Sequence, residues 1–89
     1  MSELQVIQKA VGTLMPEARK ALGDYLPPME ASLPIATELF LVAYAMVPKH
    51  RDGALRIAGM YCQISGLNPD EVEAFTLQQI RDRAEEQAA

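Results

Sequence analysis

The sequence predicts an all-α fold in which four to five short helices form one compact domain over residues 1–89. Hydrophobic residues make up 49% of the chain, and they recur at the spacing of one helix face rather than in the alternation of a strand. With two phenylalanines, three tyrosines and no tryptophan, the core must consist mainly of aliphatic side chains, Ala and Met, which suits close-packed helices. A second domain is excluded because each half of the chain would be too small to form its own core.

The first two helices are expected at about residues 3–14 and 16–26. Ser2 and Gln5 match a capping box, in which each side chain bonds to the backbone amide of the other residue. Pro16 has no amide hydrogen and cannot continue a helix without strain, so we expect a kink or a new helix start there. The apolar stripe of the first helix consists of Leu4, Ile7, Val11 and Leu14.

The third helix, at about residues 34–47, is the element around which the rest of the chain is expected to pack. Its segment PIATELFLVAYAMV is the most apolar run of the chain and has no polar face, which predicts a buried helix. Ser32 is expected to cap its start, and Pro48 to end it at Val47, because a proline disfavours helical geometry in the residue before it. Glu38 is either an interior carboxylate with a raised pKa or, as its place near the helix start favours, a side chain that reaches solvent.

The fourth helix is expected at about residues 53–65, with Asp52 as its N-cap and Gly66 as the left-handed residue after its end. Small side chains repeat every four residues along it, which allows another helix to approach closely, whereas most of its other positions are large and apolar. Positive side chains precede it, just beyond the carbonyl end of the third helix, where the helix dipole favours them. The small residues are Ala54, Ala58 and Cys62, and the positive ones are Lys49, His50 and Arg51.

The fifth helix is expected at about residues 69–87, with Asn68 as its N-cap. Its spacing predicts that Val72 and Phe75 point inward. The segment TLQQ, residues 76–79, is a second capping signature, so we expect a kink or a short break near Thr76.

Residues of the types that carry out catalysis are few, and they are far apart in the sequence. His50 is the only histidine and Cys62 the only cysteine, and they are expected on a loop and in the middle of a helix. A buried thiol is inert, because reactivity needs exposure and positive surroundings. We therefore expect no enzyme, no catalytic residue, no metal and no cofactor. An enzyme would need a metal or cofactor bound near His50 or Glu38.

The segment 62–75 has the spacing of a helix-turn-helix corner, with a glycine at the turn and Val and Phe on the second helix. A DNA-binding regulator that uses this corner is the alternative function. Three acids oppose it, since they lie on the helix that would approach the phosphates, and the basic cluster is small for a nucleic-acid site. We expect no nucleic-acid partner. The acids are Asp70, Glu71 and Glu73, and the basic residues are Lys49, His50, Arg51 and Arg56.

The same corner, GLNPDEVEAFTLQQI, is similar to C-terminal segments of some small phage tail-assembly chaperones. The shared features are a glycine-led turn, an acidic helix start and a Thr-Leu helix entry. The similarity covers under a fifth of the chain and consists of residues that any capped helix can use. It implies an assembly factor and adds only slight weight to that class.

Secretion and membrane insertion are not expected. The N-terminal segment MSELQVIQ lacks a basic region followed by an apolar one. The apolar run at 34–47 is shorter than the roughly 20 residues that a membrane-spanning helix needs. One cysteine cannot form an internal disulfide, which fits a reducing compartment. We expect a soluble, acidic, cytoplasmic protein of net charge −4.

Two helices, 34–47 and 53–65, are apolar almost all round, and the other segments are too short to cover both. Large exposed apolar patches mark contacts with other molecules. The sequence therefore predicts a non-catalytic protein-binding domain, an adaptor, regulator or assembly chaperone. Part of helix 34–47 or 53–65 is expected to lie in a homo-oligomer, in the simplest case a homodimer, or in the groove of a protein partner of unknown identity. The expected partner-binding residues are Leu39, Phe40, Tyr44, Met46, Lys49, Arg51, Arg56, Met60 and Tyr61.

Overall fold

The computed structural model describes the backbone of residues 2–23 and 28–88, and the side chains of residues 2–17, 20 and 32–88. Over these residues the chain forms helices and no strand, so the predicted all-α fold is confirmed, with four helices. The helices are α1 (Glu3–Gly23), α2 (Pro28–Ala45), α3 (Pro48–Ile64) and α4 (Pro69–Ala88).

Helix α2 lies at the centre of the fold and contacts the three other helices, while α1 and α3 do not contact each other within the described part of the chain. Two core clusters flank α2. The first joins α1, α2 and α4, and the second joins α2, α3 and α4. The run predicted as the buried helix is therefore the central element. The first cluster is built on Ala10, Val11, Leu14, Leu41 and Ile80, and the second on Ala36, Phe40, Ala58, Cys62 and Val72.

Helix α1 is continuous, so the predicted separation into helices 3–14 and 16–26 was wrong. Pro16 lies inside α1 and removes only the amide that would bond to the carbonyl of Gly12. The helix on both sides of this gap is bound to α4, because Arg83 donates to Oγ1 of Thr13 at 3.2 Å and to both carboxylate oxygens of Glu17 at 3.0 and 3.1 Å. Residues 24–26 of the predicted second helix lie outside the described residues.

Helices α2 and α3 both begin earlier than predicted, and each begins at a proline. Helix α2 starts at Pro28, so that Ser32 lies inside it and is not its N-cap. Helix α3 starts at Pro48, with the extended Val47 before it, and Asp52 likewise lies inside the helix. A proline fits the first position of a helix because its fixed φ is already helical and its missing amide has no partner there.

The predicted turn between α3 and α4 is confirmed. Gly66 has φ of +77°, and the backbone amide of Leu67 donates to the carbonyl of Cys62 at 2.8 Å, as in a Schellman motif. The side chain of Asn68 then caps α4 by accepting bonds from the amides of Asp70 and Glu71 at 3.0 and 3.3 Å. The α1 capping box is also present. The side-chain chemistry of these ends determines where the helices begin and stop.

Helix α4 runs through residue 76 without interruption, so the predicted short break is absent. Thr76 is fully buried and its hydroxyl donates to the carbonyl of Val72 at 2.8 Å, one turn earlier, so it continues the helix rather than capping a new one. Val72, Thr76 and Ile80 form the inner face at four-residue spacing. Phe75 lies beside that face and is 52% exposed, so the prediction that it points inward was wrong.

Candidate partner-binding surface

The outward face of α3 carries three large hydrophobic side chains in contact with solvent. Ile57, Met60 and Ile64 are 62%, 59% and 83% exposed. Their spacing of three and four residues places them along one face of the helix, opposite Ala58 and Cys62, which are completely buried. We call Ile57, Met60 and Ile64 the α3 stripe.

A groove between α3 and α4 borders the α3 stripe. It has a volume of about 370 Å³, and Met60 belongs both to the stripe and to the wall of the groove. Gly59 opens the groove, because a Cβ atom added there would meet nothing within 4 Å. Charged side chains stand around it, with Arg56 from α3 and Asp70 and Glu73 from α4. An apolar stripe is thus flanked by a groove with charges of both signs.

Arg51 holds the joint between α2 and α3. Its Nη2 donates to the carbonyls of Tyr44 and Met46, at 3.3 and 3.2 Å, and its guanidinium carbon lies 5.9 Å from the centre of the Tyr44 ring. The carbonyl between them, that of Ala45, accepts a bond from the side chain of Gln8 at 2.9 Å. The predicted positive charge at the carbonyl end of the central helix is therefore Arg51, although it lies in α3 rather than in a loop.

Tyr44 connects the central helix to α4. Its hydroxyl donates to the carboxylate of Glu73, and burial, followed by this contact with a negative group, raises the pKa of Tyr44 above its ordinary value. The guanidinium of Arg51 opposes that shift. Tyr44 and Arg51 are therefore both occupied in contacts within the domain.

The predicted partner-binding residues fall into three groups. Lys49, Arg56 and Met60 are exposed on α3. Phe40 is 1% exposed and belongs to the second core cluster. The others are half-buried, namely Leu39, Tyr44, Met46, Arg51 and Tyr61.

Ile57 and Ile64 were not among the predicted partner-binding residues, yet they are the most exposed members of the α3 stripe. A signal for them is present in the sequence. The ridge of Ala54, Ala58 and Cys62 must face a neighbouring helix, so the residues half a turn away from that ridge must face outward. That criterion selects the α3 stripe.

A second cleft lies between α1, α2 and α4 and has a volume of about 270 Å³. Phe75 and Leu33, which is 45% exposed, stand beside it, and Leu14 and Leu41 line it. Among the described residues, it shares no lining residue with the groove between α3 and α4, so it is a separate surface.

Residues with catalytic chemistry are not brought together. Cys62 is completely buried, and burial raises the pKa of its thiol. His50 is exposed in the first turn of α3, and Glu38 is half-buried on α2. Among the side chains that the structure describes, no three from His, Cys, Asp or Glu are placed to share a metal ion. Asp70 and Glu71 are exposed at the start of α4, where a recognition helix would meet DNA.

Comparison of the chain with models of protein families, with curated proteins and with solved structures finds no match. Within the described helices, none combines the length and the hydropathy that crossing a bilayer requires. Over the described residues the chain is thus four helices, with an apolar face on α3 that is open to solvent.

Proposed function

We propose that this chain is a small non-catalytic protein-binding domain, an adaptor, regulator or assembly chaperone, that works as a homo-oligomer through the α3 stripe. The observation that carries the proposal is the exposure of Ile57, Met60 and Ile64, at 59% or more, on one face of one helix. Isolated exposed hydrophobic residues are common, whereas aligned ones mark a contact surface.

The accessible surface of the chain supports the proposal. It measures 5859 Å², whereas the scaling for a monomer of 9.8 kDa gives about 5,200 Å². The chain therefore exposes several hundred Å² more surface than the scaling gives, and its extents of 39 × 28 × 18 Å describe a flattened fold.

The packing of α3 also supports the proposal, because it leaves one face of this helix available to another molecule. Helix α3 packs against α2 and α4 on one side only, with its small residues inward. The cost of leaving isoleucine and methionine side chains in water is about 1.5–3 kcal/mol for each that a partner could bury fully. A partner that covers the α3 stripe recovers that free energy. Lys49, Arg56 and Tyr61, predicted from the sequence, would lie around such a contact.

The test is a measurement of self-association in the wild-type chain and in Ile57→Gln/Ile64→Gln. Glutamine is a good helix former, and both positions are mostly exposed, so α3 should stay folded. We expect multi-angle light scattering and sedimentation equilibrium to give a dimer for the wild type and a monomer for the double variant. Circular dichroism checks that the helix content is unchanged.

Phe75→Gln is the matched control, because Phe75 is equally apolar and 52% exposed but belongs to the other cleft. It should associate like the wild type. A wild-type chain that is monomeric at high concentration, or a double variant that still associates, would contradict the proposed surface.

A further inference from the structure

We infer that Met60 is a modification site, at which hydrogen peroxide forms a methionine sulfoxide that weakens binding at the α3 stripe. The selectivity of this oxidation depends on the fold alone, whereas its effect on binding rests on the proposed function. The inference follows from the exposure of Met60 and from its place in both the α3 stripe and the wall of the groove.

Met60 is the most exposed of the three methionines whose side chains the structure describes. It is 59% exposed. Met15 is half-buried on α1 and packs against the first core cluster, and Met46 is half-buried just after the end of α2. Peroxide reaches a methionine sulfur from solvent, so exposure determines the order in which the three react. Met60 should therefore be oxidised before Met15 and Met46.

The groove between α3 and α4 gives solvent a second approach to Met60, besides the outward face of α3. Gly59, the residue before it, has no side chain, and a Cβ atom added there would meet nothing within 4 Å. The groove has a volume of about 370 Å³, which is ample for a reagent little larger than water. Met60 is therefore accessible both from the groove and from the outward face.

The reaction transfers two electrons from sulfur to peroxide. A lone pair of the thioether sulfur attacks one peroxide oxygen, so that a sulfur–oxygen bond forms while the oxygen–oxygen bond breaks. The proton of the attacked oxygen passes to the departing oxygen, which leaves as water. Sulfur is oxidised and peroxide is reduced, and a polar sulfoxide replaces the apolar thioether.

A sulfoxide at Met60 changes the α3 stripe without disturbing the core. Met60 belongs to neither core cluster, so the helices should stay folded after oxidation. It lies between Ile57 and Ile64, however, so a partner that covers the stripe must cover the sulfoxide as well. Removing a polar group from water without giving it a hydrogen bond opposes binding. Oxidation should therefore weaken association and leave the fold intact.

Peptide mapping by mass spectrometry tests the selectivity. The chain is treated with hydrogen peroxide in native buffer, at a concentration that keeps it monomeric, and the reaction is stopped with free methionine. We expect Met60 to be oxidised several-fold faster than Met15 and Met46, and all three to react at similar rates in guanidinium. Fragment spectra distinguish oxidation of Met60 from oxidation of Cys62, which lies on the same tryptic peptide. Equal rates in native buffer would overturn the inference.

Sedimentation equilibrium before and after oxidation tests the effect on binding. Oxidised wild type should self-associate about ten-fold more weakly than untreated wild type, with unchanged circular dichroism. Met60→Leu is the matched control, because leucine has a similar volume and has no sulfur to oxidise. This variant should associate like the wild type and keep its association after the same treatment. The other methionines are oxidised alike in both proteins, so a difference between the two belongs to Met60.

The outcomes distinguish this inference from the proposed function. If association of the wild type persists after Met60 is oxidised, the effect on binding is wrong, while the α3 stripe is still judged by Ile57→Gln/Ile64→Gln. Equal losses of association in wild type and Met60→Leu would assign the effect to another methionine and overturn the inference. A wild-type chain that is monomeric before treatment overturns the proposed function and the effect on binding together, and peptide mapping still decides the selective oxidation of Met60.

Discussion

Tyr44 has two roles that depend on different parts of its side chain. Its ring lies under the guanidinium of Arg51, which binds the end of α2, and its hydroxyl donates to Glu73 on α4. It also packs between the two core clusters. A phenylalanine could keep the ring contacts but not the bond to α4, so the two roles can be separated by substitution.

Tyr44→Phe should therefore lower the free energy of unfolding by about 1 kcal/mol at neutral pH, because a carboxylate loses a donor while packing is kept. Urea unfolding followed by circular dichroism measures this difference. Tyr61→Phe, a half-buried tyrosine on α3, is the control for loss of a hydroxyl elsewhere. An unchanged stability in Tyr44→Phe would mean that the Glu73 contact contributes nothing in solution.

The same variant should change the response of stability to alkaline pH. Burial and the Glu73 contact raise the pKa of Tyr44 in the folded chain, so on raising the pH the unfolded chain loses this proton first, near its ordinary pKa of about 10. The stability that Tyr44 contributes is complete below that pH and is lost as the pH rises above it. The advantage of wild type over Tyr44→Phe should shrink in unfolding measurements above about pH 10. Cys62 is present in both proteins, so its own raised pKa does not affect the comparison.

At the scale of single helices, replacing glycine by alanine should change the stability in opposite directions at two positions, one inside α3 and one in the turn that follows it. Gly59→Ala adds a methyl group into open space within the helix and should stabilise the fold by about 1 kcal/mol. Gly66→Ala also meets no atom, but its φ of +77° strains any residue with a Cβ, and it should destabilise by about 1–2 kcal/mol. Thermal unfolding should shift up for the first and down for the second. Two shifts of the same sign would contradict the assignment of Gly66 as the helix-ending residue.

The stability of the joint between α2 and α3 should depend on Arg51 and not on Arg56. Arg51→Ala removes the donor to two carbonyls at the end of α2, and it should lower the free energy of unfolding by about 1–2 kcal/mol. Arg56→Ala, on the same helix but exposed, should leave stability within experimental error when both variants are measured at a concentration that keeps the chain monomeric. Denaturant unfolding of both variants measures this. Equal losses would show that Arg51 has no special role at the joint.

Helix ends were predictable from the sequence where a side chain makes the cap, and not where a proline does. Ser2 and Asn68 cap their helices through side-chain oxygen atoms, and Gly66 ends α3 through its left-handed backbone, as predicted, because these effects act over a few residues. The sequence predicts that Pro48 ends a helix, but a proline fits equally well at a helix start, as Pro28 and Pro48 both do, and the choice depends on tertiary contacts. Thr76 could not be predicted for the same reason. Its burial against neighbouring helices outweighs its local capping signature.

For the whole molecule, the sequence indicated that apolar surface remains uncovered but not which surface. Composition and length predict that two helices apolar on all sides cannot both be enclosed by the remaining segments. The choice between them depends on which helix lies at the centre. Because α2 contacts three helices and α3 only two, α2 is more enclosed than α3, although Leu33 and Val42 on α2 are exposed. That is why Phe40 lies in the core while Ile57 and Ile64 do not.

If folded copies associate through α3, the thermal stability of the protein should depend on its concentration. A partner that binds only the folded chain stabilises it by mass action, so the wild-type Tm should rise by a few degrees for each ten-fold increase in concentration. Ile57→Gln/Ile64→Gln should have a constant Tm, close to that of dilute wild type, because these side chains are mostly exposed in the single copy. Phe75→Gln should keep the dependence. Aggregation of unfolded chains would instead lower the Tm as concentration rises, so differential scanning calorimetry over a dilution series distinguishes a native interface from non-specific association.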